Sequence, residues 1–179
     1  QRQLPNAWYI AIFDGSRITR EGMDYTEEGV MKAVYLPTVV ADYEAKVDGR
    51  VQRYGCSGID GVSFGPSFGH ADGRRYLTCA YGIQGDTMRT DNDYQVLLQY
   101  DITDWRTHYE RPLGQDSLHQ SGPAQPEGKY FVYTGNTNWG VQNLVYDVRH
   151  NWWMLFVYPG KKSRFTNHSL YVVDSSIAP

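Results

Sequence analysis

The sequence predicts an all-β fold of antiparallel strands, on three observations. Aromatic residues make up 15% of the chain, with 15 Tyr and 5 Trp, types that suit a pleated, half-buried surface. Short alternating apolar runs recur, bounded by Gly, Pro, Asn and Asp. A pattern of strand, polar turn and strand is found twice. With 179 residues the chain is long enough for one domain with a substantial core and short for two ordinary ones. Residues 1–179 are therefore expected to form a single all-β domain, or a segment of a larger assembly.

In chain order, residues 7–14 form an aromatic and β-branched run closed by Gly15, which is a strand signal. Residues 16–28 are polar and read as a loop. The chain is apolar again over 30–43, where Pro37 interrupts it. A residue without an N–H cannot serve a ladder, so two short strands or an edge strand are expected there, with a faint helical pattern over 42–47. Further strands are expected at 50–54, 58–66, 76–82 and 94–101, and then at 129–134, 140–147, 153–160 and 169–174. Between the two sets lies a connection, 103–128, rich in Pro and Gly. It is longer than a structureless loop in a compact domain usually is, and a lid, a subunit contact or a surface excursion each fit it.

The later strands repeat the grammar of the earlier ones. Strand 50–54, a turn and strand 58–66 correspond to strand 129–134, a turn and strand 140–147. Segments 76–82 and 153–160 each end in a Tyr and a turn residue, and 94–101 and 169–174 end in Asp101 and Asp174. This unit resembles a β-propeller blade, four antiparallel strands laid out from a central axis. The resemblance implies one complete four-stranded blade, strands of the blade before it and three strands of the one after. A ring takes about four to eight blades. The implied molecule is therefore a partial propeller, either the remainder of a longer chain or a homo-oligomer of identical copies. A β-sandwich or barrel of about ten strands accounts for the same alternation.

Composition narrows the partners. Net charge is -3 with Lys and Arg scattered, which argues against nucleic acid. No apolar run approaches the roughly 20 residues that span a bilayer, so no membrane partner is expected. Cys56 and Cys79 lack metal-site spacing and form no C-x-x-C pair, so free thiols are expected over a disulfide. The five His show no ligand spacing, and serine-hydrolase, P-loop and dinucleotide motifs are absent.

In a blade, the connections that enter the inner strand and those that join the second and third strands emerge on one face. That geometry selects Tyr54, Ser57, Asp60, Gln84, Asp86, Arg89, Asp91, Asn92 and Asp93 in one unit. In the next it selects Asn136, Asn138, Trp139, Gln142, Asn143, Lys161, Lys162, Arg164, Asn167 and His168. The expected ligand-binding set is Tyr54, Asp86, Arg89, Asp91, Asn136, Trp139, Gln142, Asn143 and His168. Asp60 begins an inner strand between Gly58 and Gly61, and glycines permit close approach. In propeller glycosidases, acidic residues at such positions act as acid, base or nucleophile, so the resemblance makes Asp60 the candidate catalytic carboxylate. The structural alternative is a side-chain cap on a turn.

The Asp86, Asp91, Asn92, Asp93 spacing suits a hard cation such as Ca²⁺, although Arg89 would oppose one. Pairing of Arg89 with its neighbouring carboxylates, or direct ligand contact, are the other readings. The corresponding loop of the second unit carries Lys161, Lys162 and Arg164, so a contact between loops of opposite charge competes with metal binding. Trp139 is a candidate sugar-stacking platform. The function expected from this set is binding of a carbohydrate or other polar ligand. A glycoside hydrolase using Asp60 and a structural assembly module are the alternatives.

Overall fold

The structure, a computed structural model, describes residues 7–26, 29–51, 59–69, 72–81, 85–114 and 118–177. These form two compact units, one from the described residues up to 41 with 102–125, the other from 42–101 with 126 onwards. Every strand pair among the described residues is antiparallel.

In the first unit, β1 (Tyr9–Phe13) pairs with β2 (Met31–Tyr35), Tyr9 lying opposite Tyr35. The run expected as two strands or an edge strand over 30–43 is instead β2 followed by helix α1 (Pro37–Glu44). Pro37 stands at the first helical position, where its missing N–H is not needed and its fixed φ suits the helix. The helix thus begins five residues before the faint helical pattern over 42–47, and Lys46 already belongs to a strand. In the second unit, which begins at Asp42 within α1, β3 (Lys46–Val47) pairs with β4 (Arg50–Val51) around Asp48 and Gly49, both with positive φ, the backbone of a tight hairpin turn. The strands expected ahead of residue 59 as one blade are thus two separate two-stranded ladders. Residues 52–54 of the expected strand lie outside the described residues.

Residues 102–125 of the connection belong to the first unit. The connection begins with the short helix α2 (Trp105–His108), whose Trp105 is buried. Arg111 and Ala33 exchange backbone hydrogen bonds of 2.9 and 3.2 Å, and the Tyr35 N–H donates to the Ser121 carbonyl at 2.9 Å. Tyr9 donates its hydroxyl to the His119 carbonyl at 2.5 Å. A Cβ on Gly122 would stand 1.7 Å from the Tyr35 carbonyl oxygen, so only glycine fits this seam.

The second unit holds two antiparallel meanders. β5 (Gly61–Gly65), β6 (Tyr76–Tyr81), β7 (Tyr94–Tyr100) and β8 (Gly128–Tyr133) form a four-stranded sheet in chain order. β9 (Asn138–Asp147), β10 (Trp152–Tyr158) and β11 (Leu170–Asp174) form a three-stranded one. Their shared core is Phe68, Ala80, Leu97, Val141, Leu144, Trp153, Leu155 and Val157. The side chains of β5 that face it are minimal. A Cβ added to Gly61 would meet Leu144 at 3.0 Å, and one on Gly65 would meet the Trp153 ring at 2.4 Å, so the two glycines set how closely β5 lies on β9.

Gln99 ties the turn after β5 to the sheet. Its amide donates to the Pro66 carbonyl at 2.9 Å and to Thr78 Oγ1 at 3.0 Å, while its oxygen accepts from the Phe68 N–H at 3.3 Å. Cys79 is a free thiol, fully buried in β6, and burial pushes its pKa up to about 12. Cys56 lies outside the described residues.

Candidate functional site

One end of the second unit gathers the start of β5, the 85–93 loop, the 134–137 turn and the 159–169 loop. Its first feature is a β-bulge. Asn143 pairs with Phe156 and Val141 with Val157, so Gln142 is an extra residue on β9. A bulge re-aims the side chain it carries, and Gln142 donates its amide to Asp60 Oδ2 at 3.2 Å. The same insertion resets the alternation, so that Val141 joins Leu144 in the core.

The second feature is a buried ion cluster between the two loops. Lys162 reaches Asp93 Oδ1 at 2.6 Å, Asn92 Oδ1 at 2.5 Å and the Arg89 carbonyl at 2.6 Å. Both the Lys162 and Asp93 side chains are 5% exposed. Arg164 takes the other Asp93 oxygen. The Asp93 carbonyl accepts from the Thr134 and Gly135 N–H groups at 3.2 and 3.0 Å, which joins the 134–137 turn to the cluster. A charge this deep is tolerated only because it is paired and every donor is used.

Nearer the surface, Arg89 grips Asp91 through two bonds of 2.8 Å. That contact raises its already high pKa. Asp86 accepts from the Met88 N–H at 2.9 Å, and its carbonyl takes the Asn92 amide at 2.9 Å. Gln95 donates to Thr134 Oγ1 at 3.1 Å and Thr137 Oγ1 at 3.0 Å. Asn136 is 1% exposed, and neither polar atom of its amide has a partner among the described residues. Between the loops lies a cleft of about 270 Å³ lined by Thr87, Met88, Arg89, Thr90, Lys161, Lys162, Ser163 and Arg164.

Of the residues expected from sequence, the fold joins Asp60 to Gln142 and Arg89 to Asp91, and holds Asp86 in the same loop. Asn143 is exposed on the far face of β9, opposite Phe156. The His168 ring meets Tyr171 edge-on at 5.9 Å, and neither residue joins the cluster. Trp139 lies in β9, its side chain outside the described set, and Tyr54 is likewise outside it. The expected binding set omitted Asp93, Lys162 and Arg164, which form the centre, and Gln95, Thr134 and Thr137 beside them. Gln95 and Gln99 alternating with Leu97 inside an apolar strand was the available signal, since polar residues at that spacing must find partners within the sheet.

Among the described residues no three His, Cys, Asp or Glu side chains come together as a metal would require. The loop carboxylates are engaged by Arg89, Lys162, Arg164 and a backbone N–H. Asp60 is exposed and accepts from the Gln142 amide. The arrangement can hold and orient a polar ligand by hydroxyl, amide and ammonium groups on a rigid base. The chain matches no protein-family model, no curated protein and no solved structure.

Proposed function

We propose that this chain is a binding module built from β-propeller-type blades, which takes a carbohydrate or similar polar ligand at the end carrying Asp60 and the two charged loops. The blade reading is supported by two consecutive antiparallel meanders whose first strands, β5 and β9, pack on one another through Gly61 and Gly65. The observation that carries the function is the cleft between residues 87–90 and 161–164. Three hydroxyls, from Thr87, Thr90 and Ser163, line it. Lys161 is exposed at its rim and has no ion-pair partner among the described residues. A ligand with several hydroxyls and one acidic group, such as an acidic saccharide, matches that set.

Glycan-array binding with neutral and acidic saccharides, run beside a hydrolysis screen, tests this reading. The expected result is selective retention of acidic glycans without turnover, with Lys161→Ala weakening binding about tenfold, the usual effect of losing one charged contact. Asp60→Asn keeps an acceptor for Gln142 and leaves affinity within about twofold. Silence towards every saccharide, or turnover that collapses in Asp60→Asn, overturns it.

A further inference from the structure

A cavity of about 530 Å³ lies at the end of the strands away from the two charged loops. β5 begins next to Asp60 at the loop end and finishes at Gly65, which lines this cavity. The volume falls in the range of pockets that hold small molecules, about 300–1,000 Å³. The turn after β5, the residues before β6, the turn between β9 and β10 and the residues after β11 enclose it. Backbone bonds fix three of these to one another: the Gly69 N–H donates to the Ser175 carbonyl and the Ser175 N–H to the Asn151 carbonyl, each at 3.0 Å.

The described lining offers hydrogen-bond donors and no carboxylate. Arg74 and Arg75 bring two guanidinium groups to one wall. Arg75 gives one N–H to the Phe64 carbonyl at 3.4 Å and has no ion-pair partner among the described residues. Arg74 gives one N–H to Asp101 Oδ2 at 3.3 Å and stands 3.8 Å from Asp72. Ser67 and Ser175 add hydroxyls. Asn151 Oδ1 accepts from the Tyr146 hydroxyl at 2.5 Å, which leaves that amide its N–H donors. The acids flanking these turns are held by their own neighbours. Asp72 accepts from the Tyr76 hydroxyl at 2.9 Å, Asp147 is bonded to the His150 ring at 2.6 Å, and Asp174 accepts from the Ser176 N–H and hydroxyl at 2.9 and 2.7 Å. A fork of guanidinium donors backed by hydroxyls is the donor set that recognises a phosphate group.

The opposite wall is apolar, formed by Pro66, Tyr146 and Val148. The Tyr146 ring is fixed in place, its centroid 5.1 Å from that of Trp153, so it can back a flat group without moving. Up to Ile177 the chain's own course leads away from the cavity. The Asp174 carbonyl accepts from the Ile177 N–H at 3.3 Å, and Ile177 lines a different groove with Phe68, Tyr130 and Val173.

We propose that this cavity binds a small molecule in which a phosphate monoester is attached to a flat apolar group. Arg74 and Arg75 hold the phosphate, and the apolar group lies against Tyr146 and Pro66. The site is separate from the polar cleft and does not depend on the saccharide reading.

The test uses the full chain, isotopically labelled, with phenyl phosphate as the probe and NMR amide shifts at neutral pH as the readout. The expected result is saturable shifts at Gly69, Gly73 and Ser176 with a Kd of about 1 mM or tighter. Inorganic phosphate and phenol should each bind at least about tenfold more weakly, since each offers only half of the contacts. Arg75→Gln should weaken phenyl phosphate at least about tenfold, the loss of one charged contact, whereas Lys161→Ala in the polar cleft leaves it within about twofold. Absence of saturable shifts in the unsubstituted chain up to about 10 mM probe overturns the proposal, and so do shifts confined to residues 87–90 and 161–164. Inorganic phosphate binding as tightly as phenyl phosphate would mark an adventitious ion only and also overturns it, as does unchanged binding by the Arg75→Gln chain.

Discussion

Removing the Asp93 carboxylate would leave the Lys162 ammonium in a site where only 5% of either side chain is exposed. Breaking a buried pair from one side costs about 3–5 kcal/mol, so Asp93→Ala is expected to lose that much in urea denaturation. Asp93→Ala with Lys162→Met, which withdraws both charges, should recover most of it. Arg89 and Asp91 are a surface pair, and Asp91→Ala is expected to cost less than about 1 kcal/mol. Two titrations have opposite signs. Cys79 is raised from 9.0 to about 12 by burial, so its contribution is complete below the unfolded value and is lost as pH rises through that interval. Its thiol should resist thiol reagents at neutral pH until the chain unfolds. Asp147 is held below the ordinary carboxylate value by bonds from His150 and the Arg149 N–H. Its contribution is present above the unfolded value and disappears as pH falls through the folded one. An NMR titration should show the Asp147 midpoint rising in His150→Ala. The Arg89 and Asp91 contact was legible because two opposite charges lie two residues apart. The Lys162 and Asp93 contact spans 69 positions, and sequence exposed only the opposite charge of the two loops.

Two elements of the second unit depend on single residues whose identity is easily mistaken for turn chemistry. Gly65 lies in a strand and faces Trp153, so the Cβ of Gly65→Ala would overlap the indole at 2.4 Å. Overpacking of that kind costs about 1–3 kcal/mol, and the Trp153 fluorescence maximum should shift with it. Gln142 is the bulge in β9. Deleting it restores strict alternation and turns Val141 out of the core, so the deletion should cost a few kcal/mol, as loss of a buried aliphatic side chain does, and break the contact with Asp60. Circular dichroism melts alongside ligand binding would register both effects. Strand positions from β5 to β11 were readable because alternation has a period of two and each run ends at Gly, Pro, Asn or Asp. The bulge was not, since an extra residue leaves local composition unchanged. The 30–43 run misled for a related reason: its apolar content is compatible with strand or helix, and Pro37 can end one element or begin the next.

The outer face of the three-stranded sheet carries Val145, Trp152, Phe156, Leu170 and Val172, each between 38% and 47% exposed. An apolar area of this extent usually marks an interaction surface. Native chain should bind a hydrophobic dye such as ANS there, and Phe156→Lys with Val172→Lys should remove most of that signal while changing stability by less than about 1 kcal/mol. Loss of dye binding with retained stability would show that the face serves association more than folding. The sequence by itself determined that the chain is built of antiparallel strands, that two similar strand successions follow one another, and that Asp60 and the two charged loops belong to one end of them. Those are consequences of local alternation and of strand direction, which reverses at each turn. Only the tertiary structure decided that residues 102–125 pack with β1 and β2, that Gln142 is a bulge, and that Asp93 is the carboxylate the two cations share. Each of these depends on which distant backbone or side chain closes a contact, and that is set by the space left between packed elements, a quantity no stretch of sequence carries alone.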